Sequence, residues 1–353
     1  MPVGVPSAFY VQAADAPAQD RIESMKQHFQ QIDILKGLAI VAVIMLHSLT
    51  RVELEQSFAI FHIWQAVPVF MVIMGFNLGL SYSSKTLHFH HLYTAHYFQK
   101  KGLRILFPLL LMYGIALVAG YLWQQLYGKD VYTLGWENFI GVLPVSGKGN
   151  YFITLLLQSV LLLPIIGYSF HHWPLRTTAL LILAEVIFLL ISYQVSYFNK
   201  ERYLYDAAFF RYLSAIAYGL WLSAIVAAGK NKGRWLLAAL ALGAAVYLYL
   251  LQYQDLRLPH VRPEWQAQLV LAFPYATLLI YLFLLLFPSQ SGNPVLGVMA
   301  EAGKASYHIF LVQVLYFGLA PTDAGVLLSL SVCLLLGYVF YRFETAFSKT
   351  LLL

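Results

Sequence analysis

The sequence predicts an all-α polytopic membrane protein, a bundle of about ten transmembrane helices with both termini cytoplasmic, and three observations predict it. Of 353 residues, 60% are hydrophobic and 11% are charged, whereas soluble domains carry about 25% charged residues. The apolar residues fall into runs close to the ~20 that a helix needs to cross a bilayer. Lys and Arg are distributed unequally over the connecting segments, as the two faces of a membrane require.

Residues 1–30 are polar and rich in small residues, without the long apolar run of a signal peptide. They read as a cytoplasmic arm with a short amphipathic helix near Arg21 to Gln30. The candidate spans that follow are 34–50, 59–82, 103–124, 151–168, 177–197, 209–228, 234–252, 266–287, 305–320 and 325–341. An even number places both ends on one side. With the N-terminus inside, thirteen basic residues fall on inner segments and seven on outer ones, and Lys36 and Arg211 inside spans complete the 22. That bias puts the termini in the cytoplasm. The domains are an arm at 1–30, a membrane domain at 31–345 and a short tail at 346–353.

Several function classes fall away on composition. The basic excess reports topology, so nucleic-acid binding is not expected. The one cysteine, Cys333, allows no internal disulfide. His88, His90 and His91 lack the acidic or cysteine neighbours of a convincing metal site.

The stretch from Asp33 to Thr50 carries the densest chemistry. Lys36 and His47 are eleven positions apart, which puts them on one helix face and separates them by roughly 16 Å along the axis. An ionisable stripe at membrane depth must face a bundle interior or a watered cavity. A neutral imidazole there can take a proton from a hydroxyl as that oxygen attacks an activated carbonyl, or it can simply bond a neighbouring helix. Asp33 is about 21 Å from His47 along the helix and instead suits Lys36, three residues on, or the basic loop after the second span. If His47 has a carboxylate partner, Glu137, in the outer loop around 125–150, is one candidate.

Lys100, Lys101 and Arg104 form a second cluster at the inner end of the third span. Lys101 and Arg104 share a face, which suits a diphosphate, although basic residues at an inner helix end also anchor topology. Asn77 follows Gly75 and Phe76 in the second span. Tyr151, Gln158 and Arg211 either line a polar lumen or sit between helices. Ser306, Tyr307 and Gln313 form a late cluster without the surroundings of a serine nucleophile.

Four segments, IDILKGLAIVAVIMLH, VPVFMVIMGFNLGLS, FQKKGLRILFPLLL and GKASYHIFLVQ, together resemble the acyltransferase 3 family of integral membrane acyltransferases. The resemblance runs from Asp33 to about Val314. Lys36 and His47 are similar to that family's basic residue and histidine with ten positions between, with lysine where arginine is common. Lys101 and Arg104 look like its basic pair on the third helix, and Gly75 with Phe76 like its glycine-phenylalanine step. Gln313 departs from a late position that is often histidine. The resemblance implies an O-acyltransferase, chiefly acetyl, that uses acetyl-CoA or another acyl-CoA as co-substrate and holds no tightly bound cofactor. The acceptor is then a hydroxyl of a cell-surface or lipid-linked carbohydrate. His47, Lys36 and Asp33 would serve catalysis, and Lys100, Lys101 and Arg104 would bind the donor. A bacterial plasma membrane is the expected setting, and a homodimer is an allowed assembly. The alternatives are a transporter or flippase of a lipid-linked sugar and a sensor without catalysis, since a polar stripe also marks a substrate pathway.

Overall fold

The computed structural model describes residues 29–83, 88–195, 198, 202–228, 233–320 and 324–351. The expected arm, with its amphipathic helix, lies almost wholly outside the described residues. Among the described residues there are helices, turns and no strands. The helices are α1 (Gln30–Ser48), α2 (Arg51–Gln56), α3 (Ala66–Tyr82), α4 (Ala95–Lys101), α5 (Phe107–Tyr127), α6 (Tyr151–His172) and α7 (Pro174–Gln194). They continue as α8 (Arg202–Asp206), α9 (Leu213–Ala228), α10 (Arg234–Tyr253), α11 (Phe273–Leu286), α12 (Pro294–Lys304), α13 (Ser306–Leu319) and α14 (Val326–Leu351).

Among the described residues eight helical stretches are long and apolar enough to cross a membrane, and α11 and α13 are shorter apolar helices. Together they coincide with the ten candidate spans, and the protein is an integral multi-pass membrane protein. Two boundaries move. The last helix runs to Leu351, through residues 346–351 of the expected tail. Between the eighth and ninth expected spans lies α12, whose mixed sequence PVLGVMAEAGK is too short and too polar to read as a crossing. Its Gly303 lies against the backbone of Asp33 on α1.

Position in the bundle follows the packing surfaces. Helices α1, α3 and α9 form the centre, where Ile34, Ile40, Ile44, Met71, Val72, Phe76 and Ile216 are buried. α3 and α9 approach until Gly75 meets the Ile216 carbonyl and Gly219 meets that of Val72. A side chain at either glycine would strike backbone, so small residues set the spacing of the central pair. Gly75 is thereby assigned to helix packing. α5, α7 and α14 lie outside and expose apolar faces that include Val118, Leu180 and Leu335. Such continuous apolar surface belongs against lipid.

The third span is one stretch, Ala95–Tyr127, interrupted by a widened π-helical turn at Gly102–Leu106. Pro108 accounts for the interruption: it has no N–H to offer the Arg104 carbonyl, and its ring would crowd that oxygen in a regular helix. Val142, Leu143 and Val145 are buried, and the Gly147 N–H donates to the Val314 carbonyl at 2.9 Å, so the loop before α6 enters the bundle.

Candidate active site

One face of α1 supplies the axis of the site. Asp33, Lys36, Ile40, Val43 and His47 follow at spacings of three and four residues and all line a single cavity of about 2660 Å³. Small-molecule pockets occupy about 300–1,000 Å³, so this space suits an extended ligand. At one end stand His47, Gly149, Tyr151 and Phe152; at the other stand Lys100, Lys101 and Arg104. The shared face expected for Lys36 and His47 is therefore present, and it opens on the same space as the basic cluster.

His47 is held by what surrounds it. The Lys148 ammonium donates to the His47 carbonyl at 3.0 Å, and Phe317 meets the imidazole edge-on with centroids 5.8 Å apart. Gly149 has φ +89°, and a side-chain carbon added there would lie 3.1 Å from His47 Nε2. Glycine is required at this point for two reasons: the left-handed backbone and the space taken by the ring. Gln313 completes the arrangement by donating from Nε2 to the Lys148 carbonyl at 3.0 Å. The residue standing where a late histidine is often found thus positions the strap that borders His47.

Glu137 is not brought to His47. It belongs to a short 3-10 turn, Trp136–Ile140, its carboxylate folds back beside Gly135, and it is absent from the cavity wall. Asp33 meets Lys36, with 3.1 Å between Oδ1 and Nζ, which is the pairing expected from their spacing.

The basic end is built by α4 and the widened turn. Lys100 and Lys101 close α4, Arg104 lies in the turn, and all three face the cavity. Tyr307 donates to the Ile105 carbonyl at 3.0 Å, tying α13 to this turn. Ser306, Tyr307 and Asn77 also line the cavity.

The remaining polar residues divide between wall and framework. Tyr151 lines the cavity and packs edge-on against Trp265, with centroids 5.5 Å apart. Gln158 accepts from the Phe209 N–H at 3.1 Å and donates to the Ala207 carbonyl at 2.7 Å, outside the cavity wall. Arg211 is buried, donates to the Asp206 carbonyl at 3.0 Å and lies 3.7 Å over the Trp265 ring. Both therefore join helices, the interface reading of the two the sequence allowed.

Three groups at or beside the cavity wall were not legible as site residues. His308 donates from Nε2 to Glu344 at 3.3 Å, a buried contact between residues 36 positions apart. Lys148 and Gly149 border His47 from a loop with no periodic pattern. His88, His91, His171, His172 and Trp173 surround the basic end; the histidine-rich runs were the available signal, and only metal binding was weighed for the first of them.

A cavity with a lone imidazole at one end and clustered cations at the other can hold an extended anionic molecule and remove a proton at its far tip. A search of curated proteins and a search of solved structures each found no match. A family model described as an acyltransferase domain does match, over residues 29–342, a span that holds every residue of the cavity wall except Glu344, and by that match the chain belongs to the acyltransferase 3 family of membrane acyltransferases.

Proposed function

We infer that this acyltransferase takes its acyl group, acetyl in the first instance, from cytoplasmic acyl-CoA and places it on a hydroxyl of a cell-surface or lipid-linked carbohydrate. The observation that carries this reading is the single cavity shared by His47 and by Lys100, Lys101 and Arg104. Two or three cations at one mouth suit a diphosphate. From there a pantetheine arm has roughly 16 Å of α1, from Lys36 to His47, along which to reach the imidazole.

In the reaction neutral His47 accepts the proton of the acceptor hydroxyl as its oxygen attacks the thioester carbonyl. The carbon–sulfur bond then breaks, and the thiolate recovers a proton from the imidazolium, leaving an ester and a free thiol. Transfer is direct, because among the described residues no nucleophile with an adjacent base accompanies His47 in the wall. Lys36 and Asp33 fix charge partway along the passage. The basic mouth faces the cytoplasm of a bacterial cell, where acyl-CoA is made, and His47 lies toward the face where a surface carbohydrate is met.

The test is ligand-dependent melting of the purified full-length protein. Acetyl-CoA at about 100 times its Kd should stabilise the fold by roughly 2.7 kcal/mol, and unrelated nucleotides should not. Equal melting with and without acyl-CoA would overturn the donor assignment and favour transport of a lipid-linked sugar.

A further inference from the structure

The segment that carries the two lysines of the basic mouth has little of its own to hold it in place. α4 is seven residues long and none of them is buried; so short a helix gains little from its own hydrogen bonds. Thr94 caps it, its hydroxyl accepting from the Tyr97 N–H at 3.2 Å. Within α4, Tyr97 and Lys101 are half-buried and the other five residues are exposed. These two stand four positions apart, hence on one face of the helix, and both line the cavity.

Two phenols tie this segment to α6. The Tyr97 hydroxyl donates to the Val160 carbonyl at 2.7 Å, and the Tyr93 hydroxyl, one turn earlier, donates to the Leu161 carbonyl. Val160 lies four residues before Pro164, which is inside α6. Proline has no N–H, so the helical ladder supplies no donor to the Val160 carbonyl. In a membrane helix, a carbonyl released in this way is satisfied from neighbouring groups. Pro164 thus creates a socket for a hydroxyl on α6, and Tyr97 fills it.

The same side chain meets the mouth. The Lys101 ammonium lies over the Tyr97 ring, 5.8 Å from its centroid, within the range of a cation–π contact. One phenol therefore does two things: its hydroxyl anchors α4 to α6, and its face lies under a cation that points to the cavity. Phenylalanine would keep the second contact and lose the first.

We propose that Tyr97 is a positioning residue for the donor, docking α4 on the proline-freed carbonyl of α6 so that Lys100 and Lys101 are delivered together to the diphosphate of acyl-CoA. The tether fixes the segment and leaves each ammonium free to turn on its own stem, which is what two cations sharing a diphosphate require. Pro164 then contributes to donor binding through the carbonyl it releases. The assignment rests on the acyl-CoA reading above.

The experiment measures the affinity of the full-length protein in lipid nanodiscs for acetyl-CoA. Tyr97→Phe should weaken binding about three- to tenfold, the scale of one lost hydrogen bond. A double-mutant cycle separates positioning from general support of the fold. In a Lys100→Met/Lys101→Met background, where Arg104 remains, adding Tyr97→Phe should change the affinity little, because the charges that the tether holds are gone. Should Tyr97→Phe fail to fold, Pro164→Ala takes its place in both backgrounds: its new N–H competes for the Val160 carbonyl, and the same pattern is expected. If acetyl-CoA does not bind the unaltered protein, the donor reading itself fails. Unchanged affinity in Tyr97→Phe, or an equal loss with and without the two lysines, overturns the positioning role and leaves the donor reading standing.

Discussion

The two ends of the cavity are built on opposite plans. At the His47 end one imidazole is confined by Gly149, Phe317 and a strap that Gln313 holds in place. At the other end several cations from separate elements face the same opening, and most of their side chains are exposed. A single base must be placed to within a fraction of an ångström, so its surroundings are stiff and each contact matters. The phosphate-binding mouth proposed for the second end would act through summed charge, so no single side chain there would need a fixed position. Damage at the first end should therefore appear in turnover, and damage at the second in donor affinity.

The largest effect is expected from His47→Ala. Removing a general base costs about 10²–10⁴-fold in rate, so kcat should collapse while acetyl-CoA still stabilises the purified protein against heating. Near-normal turnover in a transfer assay would remove His47 from the chemistry. The proposed role fixes the sign of the pH dependence: if His47 is the base it acts in its neutral form, so turnover should fall as acid protonates it.

Next comes Gly149→Ala, which alters no chemical group. The new methyl would press on Nε2 from 3.1 Å in a backbone conformation that disfavours a side chain. Displacing a catalytic group by about 1 Å costs on the order of 10²-fold, so kcat should fall by about that factor with little change in donor affinity. Unchanged kcat would show that the strap does not set the ring.

Lys36→Met probes the passage between the ends. Loss of its charge-assisted contact with Asp33 should destabilise the protein by about 1.5–3 kcal/mol. Adding Asp33→Asn should restore part of the melting temperature, and a double-mutant cycle measures the coupling. Additive losses would argue against a shared ion pair.

The smallest single effects are expected at the mouth. Lys101→Ala or Arg104→Ala should raise KM for the donor by about 2–10-fold each with kcat preserved, and about 0.3 M salt should weaken donor binding in the same direction, since the Debye length falls below 8 Å. A fall in kcat without a change in KM would reverse the division of labour between the two ends.

Much of this was legible in the chain because it is local. The apolar runs coincide with the helices that cross, and Lys36 and His47 share a face because helical pitch depends only on residue count. The pairing of Asp33 with Lys36 follows from the same arithmetic. Glu137 was misplaced as a partner because a loop has no pitch to project, and the turn at Trp136–Ile140 folds its carboxylate back on the loop. Gln158 and Arg211 had two readings because a polar residue in a span serves a lumen or a helix contact, and only the neighbours decide.

Helix count, membrane residence and the ionisable stripe on α1 are thus properties of the sequence alone, since each follows from hydropathy and a fixed rise per residue. The common cavity, the Gln313–Lys148 strap and the contact of His308 with Glu344 belong to the tertiary structure. Each joins residues far apart in the chain, and their meeting depends on how closely glycine-lined helices approach and where a loop enters between them.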